Sequence, residues 1–187
     1  LATPIDNNNG QLGNMFNIIN TSGGDISIMG MSQGPSLGGT SPQGVVADWW
    51  YSDAGDYTVS QNWVSAASGT VDFTAGTATA TIMFPTPVII PAGATYGFHC
   101  LYATNIGYTN GSGTAGTTVR AADNNITITE GHGCASFGAL SFSPRSWNGI
   151  VHYSDPNSNG CVPEDSQSTE DKPYFYYTFR NDIEMKN

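Results

Sequence analysis

The sequence predicts an all-β protein that folds as an antiparallel, jelly-roll-like β-sandwich of about 9–10 strands with little helix. Glycine is abundant (23 residues) and only 11% of the residues are charged, a balance typical of short strands joined by tight turns. Alternating apolar and polar residues recur between clusters of Gly, Pro, Asn and Asp, which is the strand signal. A chain of 187 residues is long enough for one such core.

The strand candidates follow one another along most of the chain. They lie at residues 15–20, 26–31, 45–51, 62–66, 78–84, 95–102, 125–130, 147–153 and 174–180. The proline-containing run at residues 84–93 lacks several backbone donors, so it is expected as an extended edge or a crossing between sheets. Gly-rich segments at 34–44 and 110–116 are expected to be loops.

Two strand candidates carry the most information, because successive side chains of a strand point to opposite faces. Val45, Ala47, Trp49 and Tyr51 share one face, which leaves Trp50 on the more polar face. In the candidate at 95–102, the same alternation groups Cys100 with Tyr96, Phe98 and Tyr102. Cys100 is therefore expected in the core as a small buried hydrophobe.

The chain divides into three stretches. Residues 1–12 are expected as a polar N-terminal arm without an obvious place in the core, and residues 13–154 as the sandwich. Residues 155–187 are expected to form an acidic loop and a last strand packed on the same domain. That strand is apolar on both faces, so it must be covered on both sides, and its aromatic residues are assembly candidates: Tyr174, Phe175, Tyr176, Tyr177 and Phe179.

Charge narrows the possible partners. Five basic residues against 15 acidic ones give a formal charge of −10. Nucleic acids and anionic lipid surfaces are bound through clustered cations, so neither partner is expected, and no membrane insertion is expected. The scarcity of lysine favours an extracellular or cell-surface location.

Catalytic and metal chemistry have weak support. His99, His132 and His152 lie in no recognisable nucleophile motif and are expected to be packing or surface residues, so no enzyme is predicted. Calcium is the one cofactor considered, with Asp53 and Asp56 as weak ligand candidates beside the acidic pair at 164–165.

Two surface features point to carbohydrate. Sugar rings stack on exposed aromatic side chains, and of Trp50, Trp63 and Trp147 only Trp50 remains a candidate, because Trp147 is expected to pack as a core or cap residue. Asn-X-Ser/Thr sequons occur at Asn20, Asn110 and Asn125. Three are expected by chance in such a composition, and Asn110 has the best context, in an exposed turn.

Five short segments resemble a β-sandwich repeat domain of secreted and surface-exposed proteins from bacteria and unicellular algae, whose function is unassigned. They read GNMFNI at 13–18, TYGF at 95–98, YTNG at 108–111, ITITEG at 126–131 and FSPRSWNG at 142–149. The resemblance implies a compact sandwich in multidomain surface proteins and carries no catalytic residues.

This chain departs from that family pattern in its cysteines and its C-terminus. Three cysteines allow at most one internal disulfide, and the remaining thiol is either buried or pairs between chains. Family members end near Tyr153, so a bridge between Cys134 and Cys161 is predicted to tie the C-terminal addition to the body.

Two functions from different classes remain. The first is a non-enzymatic structural subunit of an extracellular filament, sheath or adhesive assembly, which polymerises with copies of itself by strand exchange. The second is a carbohydrate-binding, lectin-like module that recognises surface glycans through Trp50.

Overall fold

A computed structural model describes residues 1–154, whose strands form two antiparallel sheets packed against each other. A three-residue 3-10 turn, Leu37–Gly39, interrupts a series of eleven strands within this range. The strands are β1 (Asn9–Asn20), β2 (Ile26–Gln33), β3 (Val45–Ser52), β4 (Val64–Val71), β5 (Ala80–Ile90), β6 (Thr95–Asn110), β7 (Val119–Ala122), β8 (Ile126–Thr129), β9 (Gly131–Cys134), β10 (Phe142–Trp147) and β11 (Gly149–Ser154).

The two sheets differ in size. The large sheet has the order β4-β3-β6-β10-β9-β1-β8-β7, and the small sheet has the order β11-β2-β5. Strand β6 also pairs with β1, so β1, β6, β10 and β9 close into a ring of hydrogen-bonded neighbours. The predicted all-β antiparallel sandwich is therefore confirmed.

The core between the sheets is aromatic at its centre. Phe16 stacks on Trp147 with ring centroids 4.8 Å apart, and Trp49 meets both rings edge-on. The indole Nε1 of Trp147 donates a 2.7 Å hydrogen bond to Oε1 of buried Gln33. Trp147 is fully buried, which confirms its expected core position.

The alternation predicted for β3 and β6 is also confirmed. Ala47 and Trp49 of β3 are fully buried on the side that faces the small sheet, together with Phe98 and Cys100 of β6. Burial raises the pKa of the Cys100 thiol well above its ordinary value. Cys100 is thus a buried small hydrophobe, as expected.

The N-terminal segment does not form an arm outside the core, and this expectation is wrong. Strand β1 already begins at Asn9, and Ala2 forms an antiparallel bridge with Ile150 of β11. Leu1 packs against the main core and Thr3 is buried. Asn and Gly at positions 9 and 10 suggest a loop, but the long-range pairing of β1 with Tyr108 and Gly107 of β6 holds these two residues extended.

Several strand boundaries also differ from the predicted ones. The proline run lies mainly in β5, an edge strand of the small sheet, as one of its two expected alternatives required. The short strands β7, β9 and β10 were not expected, because four to six residues give little alternation, and β9 and β10 also contain glycine or proline. Strands β9 and β10 are stabilised by neighbours that are distant in sequence, whereas β7 pairs with β8 across a short turn.

The C-terminal predictions lie outside the described residues. They comprise the acidic loop, the last strand at 174–180 with its aromatic side chains, and Cys161, and they stay predictions. Within residues 1–154, no helix has the length and apolar character that a membrane span requires.

Candidate functional site

The solvent side of the large sheet carries a second hydrophobic cluster, separate from the main core. Every residue from Gly13 to Ile18 in β1 is buried, so this central strand is covered on both faces. Met15, Tyr57 and Cys134 are fully buried on the outer side, with Trp63 and Leu101 packed around them. The segment between β3 and β4 contributes Tyr57 and Trp63, and so covers this face.

His99 lies at the centre of the outer face and is fully buried. Its Nδ1 is 3.1 Å from the carbonyl oxygen of Asn14, and its Nε2 accepts a 3.3 Å hydrogen bond from the backbone N–H of Gly138. These partners require a neutral ring with the proton on Nδ1. Burial lowers the pKa of His99 to about 4, so the ring is neutral near pH 7.

Three aromatic side chains surround His99, and with it they form what we call the aromatic patch: Trp50, Trp63, His99 and Phe137. Ring centroids of Trp50 and Trp63 lie 5.2 and 5.4 Å from that of His99. Phe137 meets Trp50 edge-on at 4.7 Å and remains 52% exposed. Trp50 therefore lies on the outer face, as alternation predicts, but it is half-buried within a cluster.

Phe137 belongs to a segment with an unusual surface. Residues 135–142 read ASFGALSF, and Phe137, Leu140 and Phe142 are all exposed. Residues 135–141 lack alternation, so no strand signal in the sequence marks them. A usable signal was the concentration of large apolar residues among Gly, Ala and Ser, since loops of this composition normally carry polar side chains.

The cysteine and histidine of β9 do not form a nucleophilic pair. The Cys134 thiol is 3.6 Å from the carbonyl oxygen of His132, and the His132 ring instead contacts the Tyr57 hydroxyl at 2.8 Å through Nδ1. Burial raises the pKa of Cys134 to about 12, so its thiolate is scarce at neutral pH. The predicted partner of Cys134, Cys161, lies outside the described residues, and this disulfide stays a prediction.

A serine and a histidine do meet on the small sheet. Ser32 Oγ lies 2.7 Å from His152 Nε2 and 2.6 Å from Thr81 Oγ1. Ser32 is only 2% exposed, and no carboxylate of residues 1–154 hydrogen-bonds to His152. Strand β2 is paired on both sides, so its backbone N–H groups are used in the ladders and supply no oxyanion hole. This arrangement pins three strands together.

Neither of the two calcium-ligand candidates, Asp53 and Asp56, belongs to a cluster of metal ligands among the described residues. Asp56 Oδ1 accepts hydrogen bonds from Asn17 Nδ2 and the Thr58 N–H, both at 2.9 Å, and so caps a turn. Asp53 is exposed. In the described part of the chain, no three His, Cys, Asp or Glu side chains gather where a metal ion would bind.

The three sequons have different surroundings. Asn20 is fully buried, and its Nδ2 donates to the carbonyl oxygens of Gly24 and Ile90, both at 2.8 Å. A glycan on that nitrogen is incompatible with this fold, so the proposal for Asn20 is corrected. Asn110 is exposed and Asn125 is half-buried. Glycosylation at these two positions stays a prediction.

Fold and site together define an antiparallel β-sandwich with an aromatic cluster on the outside of its larger sheet. No protein-family model matches the sequence, and no curated protein matches it significantly. The resemblance to surface repeat domains therefore stays an expectation.

His99 should make the stability of the fold depend on pH. Its folded pKa of about 4 lies below its ordinary value of 6.5, so acid protonates the unfolded chain first. Stability is lost as the pH falls from about 6.5 to about 4, and the loss is about 3 kcal/mol. Urea unfolding at a series of pH values should show a steeper loss for the wild type than for His99→Gln. Parallel curves for the two proteins would contradict the assigned burial of this ring.

Ser32 should be chemically inert despite its contact with His152. A fluorophosphonate, which phosphonylates activated serines, should leave the intact mass of the native protein unchanged, because Ser32 is covered and has no oxyanion hole. The control is Ser32→Ala under the same conditions. An adduct that forms on the wild type and disappears in Ser32→Ala would show a catalytic serine instead.

Proposed function

We propose that this chain is a non-enzymatic structural subunit that associates with copies of itself in an extracellular or cell-surface assembly. The observation that carries the proposal is the exposed apolar segment at residues 135–142 beside the aromatic patch. Large apolar side chains concentrated on the surface of a protein commonly mark a site of interaction with another molecule.

The chemistry of the segment favours a protein partner. Phe137, Leu140 and Phe142 are between 40% and 52% exposed. Burying the remaining exposed surface of each of these apolar side chains is favourable in free energy. Burying the exposed part of one such side chain contributes about 1 kcal/mol. Leucine and phenylalanine have no polar group for sugar hydroxyls, whereas interface cores are enriched in aromatic and apolar residues.

The anchoring of Phe137 makes it suited to this role. Its ring is held against both Trp50 and His99, and the adjacent Gly138 N–H is bonded to the His99 ring. A side chain already fixed in place loses little rotamer freedom on binding, so more of its burial appears as affinity. Phe137 is therefore the expected centre of the contact.

The overall charge is consistent with a restricted contact surface. A chain with a formal charge of −10 repels its copies over most of its surface. Residues 135–142 contain no acidic residue, and so avoid this repulsion locally. The scarcity of lysine and arginine supports the extracellular assignment.

Phe137→Ser should weaken self-association by about tenfold or more, because truncating a central anchor commonly costs over 1 kcal/mol. Sedimentation velocity over a concentration series measures this change, and negative-stain microscopy shows whether polymers form. Val119→Ser is the matched control, since Val119 is an exposed apolar residue on β7. A wild-type protein that stays monomeric and forms no polymer would overturn the proposal.

A carbohydrate-binding module is the second candidate, and one observation favours it. Asp48 and Trp50 lie two positions apart in β3, so they share its solvent side, where a carboxylate and an indole can recognise a sugar together.

If Trp50 binds a glycan, Trp50→Ala should lose retention on the cognate polysaccharide in affinity electrophoresis, while its urea unfolding shows that the fold persists. Trp63→Ala is the matched control, because Trp63 packs on the same histidine from the buried cluster. Equal retention of Trp50→Ala and the wild type would exclude this candidate.

A further inference from the structure

The two sheets end in four edge strands within residues 1–154: β4 and β7 in the large sheet, β5 and β11 in the small one. An edge strand has one row of backbone N–H and C=O groups without ladder partners. Such a row is a template for pairing with another chain, and proteins usually protect it.

Two of the four edges are protected by their own sequence. Strand β7 has only four residues, includes Arg120, and shifts register against β8. Strand β5 contains Pro85 and Pro87, which have no N–H to donate. Short length, charge, irregular register and proline are the devices that discourage edge pairing.

The third edge is covered by the N-terminus. The N–H of Val151 in β11 donates to the carbonyl oxygen of Leu1 at 2.8 Å, and the Leu1 amino group donates back at 3.0 Å. The Thr3 N–H bonds to the carbonyl oxygen of Gly149 at 2.9 Å. Residues 1–3 thus act as a short extra strand on β11.

Strand β4 shares one of these features, a register shift against β3 between Trp49 and Trp50, but it lacks the others. It reads VSAASGTV, eight residues without a charge or a proline. One side pairs with β3 from Val45↔Val71 to Tyr51↔Val64. On the other side, no backbone group of β4 has a hydrogen-bond partner among residues 1–154.

We propose that β4 pairs antiparallel with β4 of a second copy across a twofold axis, joining two large sheets into one. The proposal rests on the self-association proposed above and adds a second contact to the one at residues 135–142. The other three described edges are protected, so an incoming copy presents β4 as its only open edge. A strand that pairs with itself gives an isologous contact, which is the commonest symmetry of protein dimers.

The strand chemistry fits a copy of itself. After a register shift near Trp49 and Trp50, the stretch 67–71 alternates regularly, with Ser68 and Thr70 exposed on the outer side. Antiparallel pairing centred on Gly69 places Ser68 opposite Thr70 of the second copy. Cross-strand pairs of Ser and Thr form favourable hydrogen bonds.

The acidic character of the chain does not oppose this contact. The nearest acidic side chains are Asp48, which pairs with Ser68 from the neighbouring strand β3, and Asp72, which directly follows β4 and accepts a hydrogen bond from the Gly44 N–H. Pairing centred on Gly69 places the two Asp72 residues six positions apart along the joined strands, about 20 Å. In the joined sheet, the two β3 strands are three strand spacings apart, about 14 Å. That separation exceeds the Debye length of about 8 Å at physiological salt, so the repulsion is largely screened.

The test adds charge to the proposed contact. Ser68→Lys/Thr70→Lys places like charges opposite each other in the pair, and should weaken dimerisation by about tenfold or more in sedimentation velocity. The control Thr114→Lys/Thr117→Lys adds the same charge at two exposed threonines in the loop between β6 and β7, and should dimerise like the wild type.

Disulfide trapping tests the register independently. Mixing Ser68→Cys with Thr70→Cys under mild oxidation should give a crosslinked dimer, because directly opposed residues have Cβ atoms about 5 Å apart. Mixing Ser68→Cys with Thr117→Cys measures random collisions. Equal yields in the two mixtures would overturn the proposed pairing.

The outcomes separate this inference from the proposed function. If the wild type associates, Phe137→Ser weakens it, and the β4 lysines have no effect, the pairing is wrong and self-association stands. If the lysines abolish dimerisation and the control pair does not, the pairing is supported. If the wild type stays monomeric and no crosslink exceeds the collision level, both fail.

Discussion

The ladder between β1 and β6 is the interaction on which the rest of the sandwich depends. It runs from Asn9↔Tyr108 to Ile19↔Thr95 with one register shift, and joins segments that are distant in sequence. Both strands also pair on their second sides, β1 with β8 and β9, and β6 with β3 and β10. The register of this ladder therefore determines the positions of six strands: β1 and β6 themselves, and β3, β8, β9 and β10, which pair with them.

This ladder creates two hydrophobic clusters from one pair of strands. Side chains alternate, so Phe16 and Phe98 enter the main core while Met15 and His99 point to the other face. A central strand with apolar residues on both faces needs a cover on both sides. The small sheet covers one face, and the irregular segments 53–63 and 135–141 cover the other. The aromatic patch is where this second cover meets solvent.

The local sequence pattern was sufficient to predict the fold class. It also predicted which side chains of the most regular strands face the core. Alternation placed Trp49 and Cys100 inside and Trp50 outside, because it depends only on strand geometry. It failed where a distant partner decides the outcome. Asn9 and Gly10 look like turn residues and become the start of β1, and the side-chain nitrogen of Asn20 is engaged by backbone contacts that no sequon motif reveals.

The candidate site shows the same difference between residues that the local pattern predicts and residues that tertiary contacts position. Trp50 was predictable because it sits in a regular strand, whereas Phe137 depends on a loop whose position is determined by the Gly138 hydrogen bond to His99. Half of the patch thus comes from alternation and half from tertiary contacts. The absence of charge in β4 was readable from the sequence, but its significance required knowing that β4 ends a sheet.

The fold bears on assembly through its edge strands, which differ in how well they are protected against pairing with another chain. A strongly acidic surface keeps most orientations of two copies apart, since like charges repel wherever they meet closely. Prolines, short length and the N-terminal cover leave β4 as the one open edge among residues 1–154. Charge repulsion elsewhere on the surface and the absence of charge in β4 together favour one arrangement of two copies. Only contacts centred on the uncharged strand avoid the repulsion. The solvent-facing aromatic patch begins one strand away, where Trp50 of β3 pairs with Ser65 of β4, so the two proposed contacts share one end of the large sheet.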